Sequence, residues 1–207
     1  MRLAARVIGR LMAGYAWIVA RTCRIEGTVT QVPAVLAFWH EYNLVAAIAA
    51  LRARRHQRHV SFSTQTFRGE VMTAFLAALD AGSVPLPPEG DRAAATRLTL
   101  EMARLGREGA TIVVSPDGPL GPYRKAKPGA LIVAREAALP LQPWAVDVRP
   151  AIRLSGRWDR QLVPLPFCRL RVVEGQPITV AERERLRPKL AELQAQLDRV
   201  AQVADRM

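Results

Sequence analysis

The sequence predicts a single-domain α/β fold, a sheet flanked by helices, with an amphipathic helix at the N-terminus and another helix at the C-terminus. Three observations carry this expectation. Short apolar runs of strand length alternate with helix-length segments through the middle of the chain, the grammar of βα units. Capping and breaking residues stand at the borders of those segments. The 207 residues, half of them hydrophobic and 23% charged, suffice for one core, and no linker is long enough to divide the chain. This composition excludes intrinsic disorder for most of the length.

Residues 2 to 24 place Arg2, Arg6, Arg10, Arg21 and Arg24 around Leu3, Val7, Leu11, Tyr15 and Trp17. That pattern suits a helix at 1–22 lying in a membrane interface, its cations among headgroups. Two other readings stay open. One is a helix that simply covers the domain core. The other is a signal peptide, against which stand Arg21 directly after the apolar stretch and the lack of an A-x-A site. The longest uncharged run, Leu11 to Ala20, has ten residues, short of the roughly 20 that cross a bilayer. No conventional transmembrane helix is expected.

The domain at 23–178 then reads as strand Pro33 to Trp39, helix Tyr42 to Arg54, strand His59 to Ser63, helix Glu70 to Leu79 and strand Val84 to Leu86. Asp91 is a good N-cap for a helix reaching Leu105, which Gly106 and Gly109 end. The strand Ala110 to Val114, a long loop Ser115 to Gly129, the helix Ala130 to Ala137 and the strand Leu141 to Val148 follow. Beyond Pro150 the chain turns irregular and reads as an edge excursion or hairpin before the strand Arg169 to Val173. In the last segment, 179–207, Thr179 and Glu182 form a capping box. Leu186, Leu190, Leu193, Leu197 and Val200 give the stripe of a helix docked on its own domain. Pro188 demands a kink or a later start.

Thirty Lys and Arg against eighteen Asp and Glu give a net charge of +12, so an anionic partner surface is expected. Nucleic acid is disfavoured as that partner. Aromatic residues make up only 6%, the cations are spread along the chain, and neither an RNP-like nor a helix-turn-helix signature appears. An anionic membrane remains. Only Lys125, Lys127 and Lys189 are lysines, so the arginine excess says little about phosphate readout. Cys23 and Cys168 fit neither a disulfide framework nor a metal site and are expected to be buried and inert. His56 and His59 are spaced H-x-x-H, too weak a pattern to claim a metal.

In an open α/β sheet, ligands bind at the carboxyl ends of the strands. His40 and Glu41 stand at one such end, Thr64 to Glu70 at another, and Ser115 to Lys127 at a third. His40 closes the run Val35 to Trp39 and opens a helix, which makes it the best general-base candidate. A capping or partly buried structural histidine is the alternative. The loop Ser115 to Gly129 holds Arg124, Lys125 and Lys127 within four residues, among glycines and prolines that fix an irregular backbone, which suits an anionic headgroup or phosphate.

Taken in order, these segments resemble the lysophospholipid acyltransferase superfamily, the glycerolipid and lipid A acyltransferases. The likeness is to a short bacterial branch, first described as a domain of unknown function, with a Trp-His strand end and a Pro-Asp-Gly-Pro-x-Gly-Pro loop. It covers roughly Arg21 to Ile178. By resemblance, Trp39-His40 matches the first block, whose histidine deprotonates the acceptor hydroxyl. Arg68-Gly69-Glu70 matches the acceptor-binding second block. Pro116-Asp117-Gly118 matches a Pro-Glu-Gly block that helps bind the acceptor phosphate, and Leu139 to Pro143 matches the fourth. The resemblance implies an acyl-CoA or acyl-carrier-protein donor, a lipid acceptor, no further cofactor, and a peripheral position on the cytoplasmic face of the inner membrane.

The chain departs from that family at one point. The first block is H-x4-D or H-x4-E, and the matching position is Val45. An imidazole without its carboxylate lacks an orienting partner. Glu41 would point to another helix face. Glu70 is the favoured substitute and Asp117 the alternative, each expected at a neighbouring strand end. Arg68, Gly69, Gly118, Arg124, Lys125 and Lys127 are the expected substrate-binding residues. A catalytically silent lipid-binding protein of the same fold is the competing reading, and the residue at Val45 is its main support.

Overall fold

The computed structural model describes residues 2–27, 33–52, 57–87 and 91–206. His56 and the last two residues of the helix expected to reach Arg54 lie outside them. The strands are β1 (Arg24–Glu26), β2 (Val35–Ala37), β3 (His59–Ser63), β4 (Gly82–Pro85), β5 (Thr111–Val114), β6 (Leu141–Arg153) and β7 (Leu162–Glu174). They form one seven-stranded sheet in the order β1-β7-β6-β2-β5-β3-β4. From β6 to β4 all neighbours are parallel, β7 returns antiparallel to β6, and β1 runs parallel to β7. The carboxyl ends of β2, β3, β5 and β6 therefore share one edge. The central strand β2 is buried along its whole length, which is why its sequence is a continuous apolar run rather than an alternating one.

The helices are α1 (Arg2–Thr22), α2 (Asn43–Arg52), α3 (Phe67–Ala78), α4 (Arg92–Arg107), α5 (Gly129–Ala137) and α6 (Leu186–Arg206). Helix α1 packs on α2 and α3, while α5 packs on α4 and α6, and α6 lies on β6 and β7. Two starts are displaced from expectation for identifiable reasons. Helix α3 begins at Phe67 because Thr66 caps it, its hydroxyl accepting from Gly69 N–H at 3.3 Å. At the other end of the chain the Thr179 capping box does not form. Ile178 is bridged to Leu141 by two backbone bonds of 2.8 and 2.9 Å, so the next residues cannot yet be helical. Helix α6 starts at Leu186, which places Pro188 in its first turn, where a missing N–H breaks no bond. The Asp91 cap forms as expected, accepting from Ala94 N–H at 2.8 Å.

Two of the readings of the N-terminal segment use different faces of one helix. The small residues Ala5, Gly9, Ala13, Ala16 and Ala20 are buried. Gly9 is so close to α3 that a Cβ there would stand 2.6 Å from the Val71 carbonyl oxygen. Leu3, Val7, Leu11 and Ile18 point outward on the opposite face. Tyr15 belongs to the protein side, its hydroxyl donating to the Pro164 carbonyl at 2.6 Å. By length and composition alone, α1 is also apolar enough to cross a membrane. The ten-residue uncharged run understated this because Arg6 and Arg10 interrupt a longer apolar window.

Candidate active site

Buried β2 carries the chain through Phe38 and Trp39 into a single 3-10 turn, His40–Tyr42, at the shared strand-end edge. There the Asp117 carboxylate meets His40 twice. The ring Nδ1 lies 3.0 Å from Asp117 Oδ1, and the His40 backbone N–H donates to the same carboxylate at 3.2 and 3.4 Å. Asp117 is wholly buried and the His40 side chain is 20% exposed. A carboxylate offers acceptor oxygens, so a hydrogen on Nδ1 can be donated to Asp117, and Nε2 is the ring nitrogen that Asp117 does not engage. The loop after β5 supplies Asp117 and is itself closed by backbone bonds from Gly118 N–H to Ser115 and from Lys127 N–H to Pro116. Gly118 adopts a φ of +68°, a conformation that favours glycine. The Lys127 ammonium lies directly over it, 2.9 Å from where a Cβ would stand.

The neighbouring Glu41 is also fully buried, and it faces away from His40. It accepts from Arg124 Nε at 2.6 Å, from the Tyr123 hydroxyl at 3.1 Å and from Arg153. Asp205 at the end of α6 reaches the same Arg124 at 3.2 Å. Gln194 of α6 accepts from Ala126 N–H at 2.8 Å and donates to the Arg124 carbonyl at 3.0 Å. The C-terminal helix thus clamps the loop that holds Asp117.

The tip of the β6–β7 hairpin projects over the same edge. Its Trp158 ring lies 5.1 Å from the His40 ring, centroid to centroid, and seats on Gly121, where a Cβ would come 2.8 Å from the indole. Asp159 is buried and binds Arg157 bidentately at 2.8 and 2.6 Å. Burial pushes the Asp159 carboxyl up, but the hydrogen bonds and charge of Arg157 outweigh it and hold the group below its ordinary value. Gln161 anchors the hairpin to the Glu41 carbonyl at 3.1 Å.

His40, Lys127, Arg157 and Trp158 line a groove of about 3100 Å³ that runs on between α1, α2 and α3 over apolar side chains such as Met12, Leu44, Met72 and Phe75. No family model matches the sequence. Among solved structures, the 1-acyl-sn-glycerophosphate (LPA) acyltransferase PlsC from Thermotoga maritima superposes over 96% of this chain and 81% of that one, with a TM-score of 0.53 at 16% identity. The chain has an acyltransferase-like fold. An uncharacterized protein of Rickettsia prowazekii is 25% identical over 146 residues. That match spans 70% of this chain and 64% of the relative, less than two thirds of its length.

Within this acyltransferase-like fold the expected site residues separate into two groups. His40, Asp117, Gly118, Lys127, Arg68 and Gly69 gather at the shared edge, and all but the buried Asp117 line the groove. Glu70 does not join them. Its side chain is 43% exposed and faces Arg2 at 4.0 Å, because Thr66 starts α3 three residues earlier than expected and turns Glu70 outward. The carboxylate beside His40 is Asp117, the alternative rather than the favoured residue. Arg124 is not free to bind substrate, since Glu41 and Asp205 hold it. Lys125 is exposed and outside the groove lining. Gly69 has a backbone reason to be glycine: a Cβ would stand 1.7 Å from the Thr64 carbonyl oxygen. Arg157, Trp158 and Asp159 were not expected here. The position of Trp158 in the segment following a strand end was the available signal.

Proposed function

We propose that the protein is a membrane-associated acyltransferase that moves an acyl chain from an acyl thioester to a hydroxyl of a lysophospholipid or related lipid. The single observation that carries this reading is the His40–Asp117 pair at the mouth of an apolar groove on an acyltransferase-like fold. His40 Nε2 takes the proton of the acceptor hydroxyl as its oxygen attacks the thioester carbonyl, and Asp117 stabilises the imidazolium that forms. The tetrahedral oxyanion is met by backbone N–H groups or by Arg68. When the C–S bond breaks, the thiolate leaves with the proton held on Nε2. The donor is an acyl-CoA or acyl-carrier protein, which puts the reaction on the cytoplasmic face.

The outward face of α1 supports the membrane as partner. Leu3, Leu11 and Ile18 are 75, 69 and 56% exposed and lie on one stripe, with Arg6, Arg10 and Arg21 beside it. Phe167, 81% exposed, extends that apolar surface at the C-terminal end of the helix, where its N–H donates to Thr22. An apolar stripe flanked by cations is the form of an interfacial anchor.

The test is acyl transfer by purified protein in anionic vesicles, with acyl-CoA or acyl-carrier-protein donors and pooled bacterial lysolipids, read by mass spectrometry. The expected result is product from wild type and none from His40→Ala. Equal product from both overturns His40 as the base. No product from either, with vesicle binding intact, overturns the enzyme and leaves a silent lipid-binding protein.

A further inference from the structure

A second pair of side chains joins the same two segments that His40 and Asp117 join. Ser115, two residues before Asp117, donates its hydroxyl to Asn43 Oδ1 at 2.8 Å. Asn43 stands three residues after His40, and its backbone N–H bonds the His40 carbonyl, which closes the 3-10 turn. Side chains three apart on such a turn eclipse one another, so the imidazole and the amide leave it on one side. Both line the groove, as does Ser115.

The bond to Ser115 decides which end of the amide is free. With Oδ1 engaged, the open end is Nδ2, which carries two hydrogens and accepts none. No protein group takes those hydrogens among the described residues. Nor is Nδ2 sealed in the core, since among the described residues the buried side-chain polar atom without a partner is Trp39 Nε1. Nδ2 is therefore a donor open to the groove on the His40 side of the turn. Asn43 also begins α2, a helix of 10 residues, and the N-terminal end of a helix favours negative charge.

We propose that Asn43 is a catalytic residue whose Nδ2 donates to the thioester carbonyl oxygen as it becomes an oxyanion, and that Ser115 is the positioning residue that turns the amide that way. The assignment rests on the acyltransferase reading and adds a side-chain donor to it. As the acceptor oxygen bonds to the carbonyl carbon, the C=O π pair moves onto oxygen and accepts from Nδ2. When the C–S bond breaks the pair returns, and Asn43 keeps its hydrogens throughout. A group that only donates has no use for the proton His40 removes, but it suits the oxygen where charge develops. Its hydrogen bond strengthens with that charge, so it favours the transition state over bound thioester. Because Ser115 already holds the amide, little reorganisation is needed when the charge appears.

The test is steady-state transfer by the full chain in anionic vesicles, from palmitoyl-CoA and palmitoyl-acyl-carrier protein to saturating pooled bacterial lysolipids, across a range of pH. Asn43→Ala is expected to lose about 10²-fold in kcat, with KM for the donor within about twofold and the pH profile of kcat unmoved. Asn43→Asp keeps the shape but has no hydrogen to give, and is expected to lose at least as much. Ser115→Ala should lose about tenfold, and Ser115→Thr, which retains the hydroxyl, should recover most of it. If Asn43→Ala does not fold, Asn43→Asp and the two Ser115 variants carry the same test. Wild-type kcat in Asn43→Asp overturns the proposal, because the free end of the amide is then Oδ1. A loss confined to KM overturns it too, as does a loss accompanied by a shifted pH profile, which assigns the effect to a disturbed His40. Unaffected variants beside an active wild type overturn this assignment alone, whereas a wild type that transfers nothing overturns the acyltransferase reading and the assignment with it.

Discussion

Where the resemblance places an orienting acid the chain has a fully buried valine, Val45, and the carboxylate found beside His40 comes instead from the loop after another strand. Asp117 holds both the ring and the backbone N–H of His40, so it fixes the tautomer and the ring position together. Asp117→Asn preserves shape but offers an amide that can donate to Nδ1 and move the hydrogen to Nε2, which would disable His40 as the base of the proposed mechanism. The expected loss in kcat is about 10³- to 10⁴-fold, whereas Glu70→Gln, on the outer side of α3, changes kcat by less than about twofold. The reverse ranking in a transfer assay would restore Glu70. Gly69→Ala acts first through the backbone. Its Cβ would collide with the Thr64 carbonyl, α3 must shift, and the denaturation midpoint should fall by an amount worth about 1–3 kcal/mol.

Elements were legible to the extent that their signal was local. Strand β3 is found as expected at His59–Ser63, and Asp91 caps α4, because an apolar run or a capping side chain settles each by itself. The hairpin tip was not legible. The rule that ligands gather at the carboxyl ends of parallel strands applies equally to β6, yet the sequence past Pro150 lacks the alternation that would show β6 continuing to Arg153. Helix α1 was half legible, since the sequence shows that it is amphipathic but not that small residues form a second face, which packs on α3. That division gives a prediction at the scale of the helix. Leu11→Glu, on the outward stripe, should leave the thermal midpoint within about 2 °C while reducing flotation with anionic vesicles severalfold. Ala13→Glu, on the buried face, should instead unfold or severely destabilise the chain. Equal vesicle binding by wild type and Leu11→Glu would exclude the stripe as the anchor.

For the molecule as a whole, the balance of charge matters most where burial sets it. Both thiols are buried, and burial, with Cys23 alongside, pushes the Cys168 thiol up to about 11. Native protein should therefore be almost inert to a thiol reagent at neutral pH, and unfolded protein should react at both cysteines. The pH dependence of folding has a different source. Burial lowers the proton affinity of His59 at the start of β3 below its ordinary value, against a smaller opposing effect of the Gln57 backbone. The unfolded chain then binds a proton near pH ~6.5 that the folded chain does not yet accept. In that interval unfolding takes up a proton, so stability is full above about pH 6.5 and falls as pH drops below it. Asp159 acts in the same direction but lower. Its depressed value makes its contribution complete above about pH 4 and lost as pH falls further. Urea midpoints at pH 7.5 and 5.5 should therefore fall in wild type and fall less in His59→Gln, which has no proton to take up. Identical declines in the two proteins would assign the loss to other groups, and a wild-type midpoint that rises on acidification would overturn the expected direction.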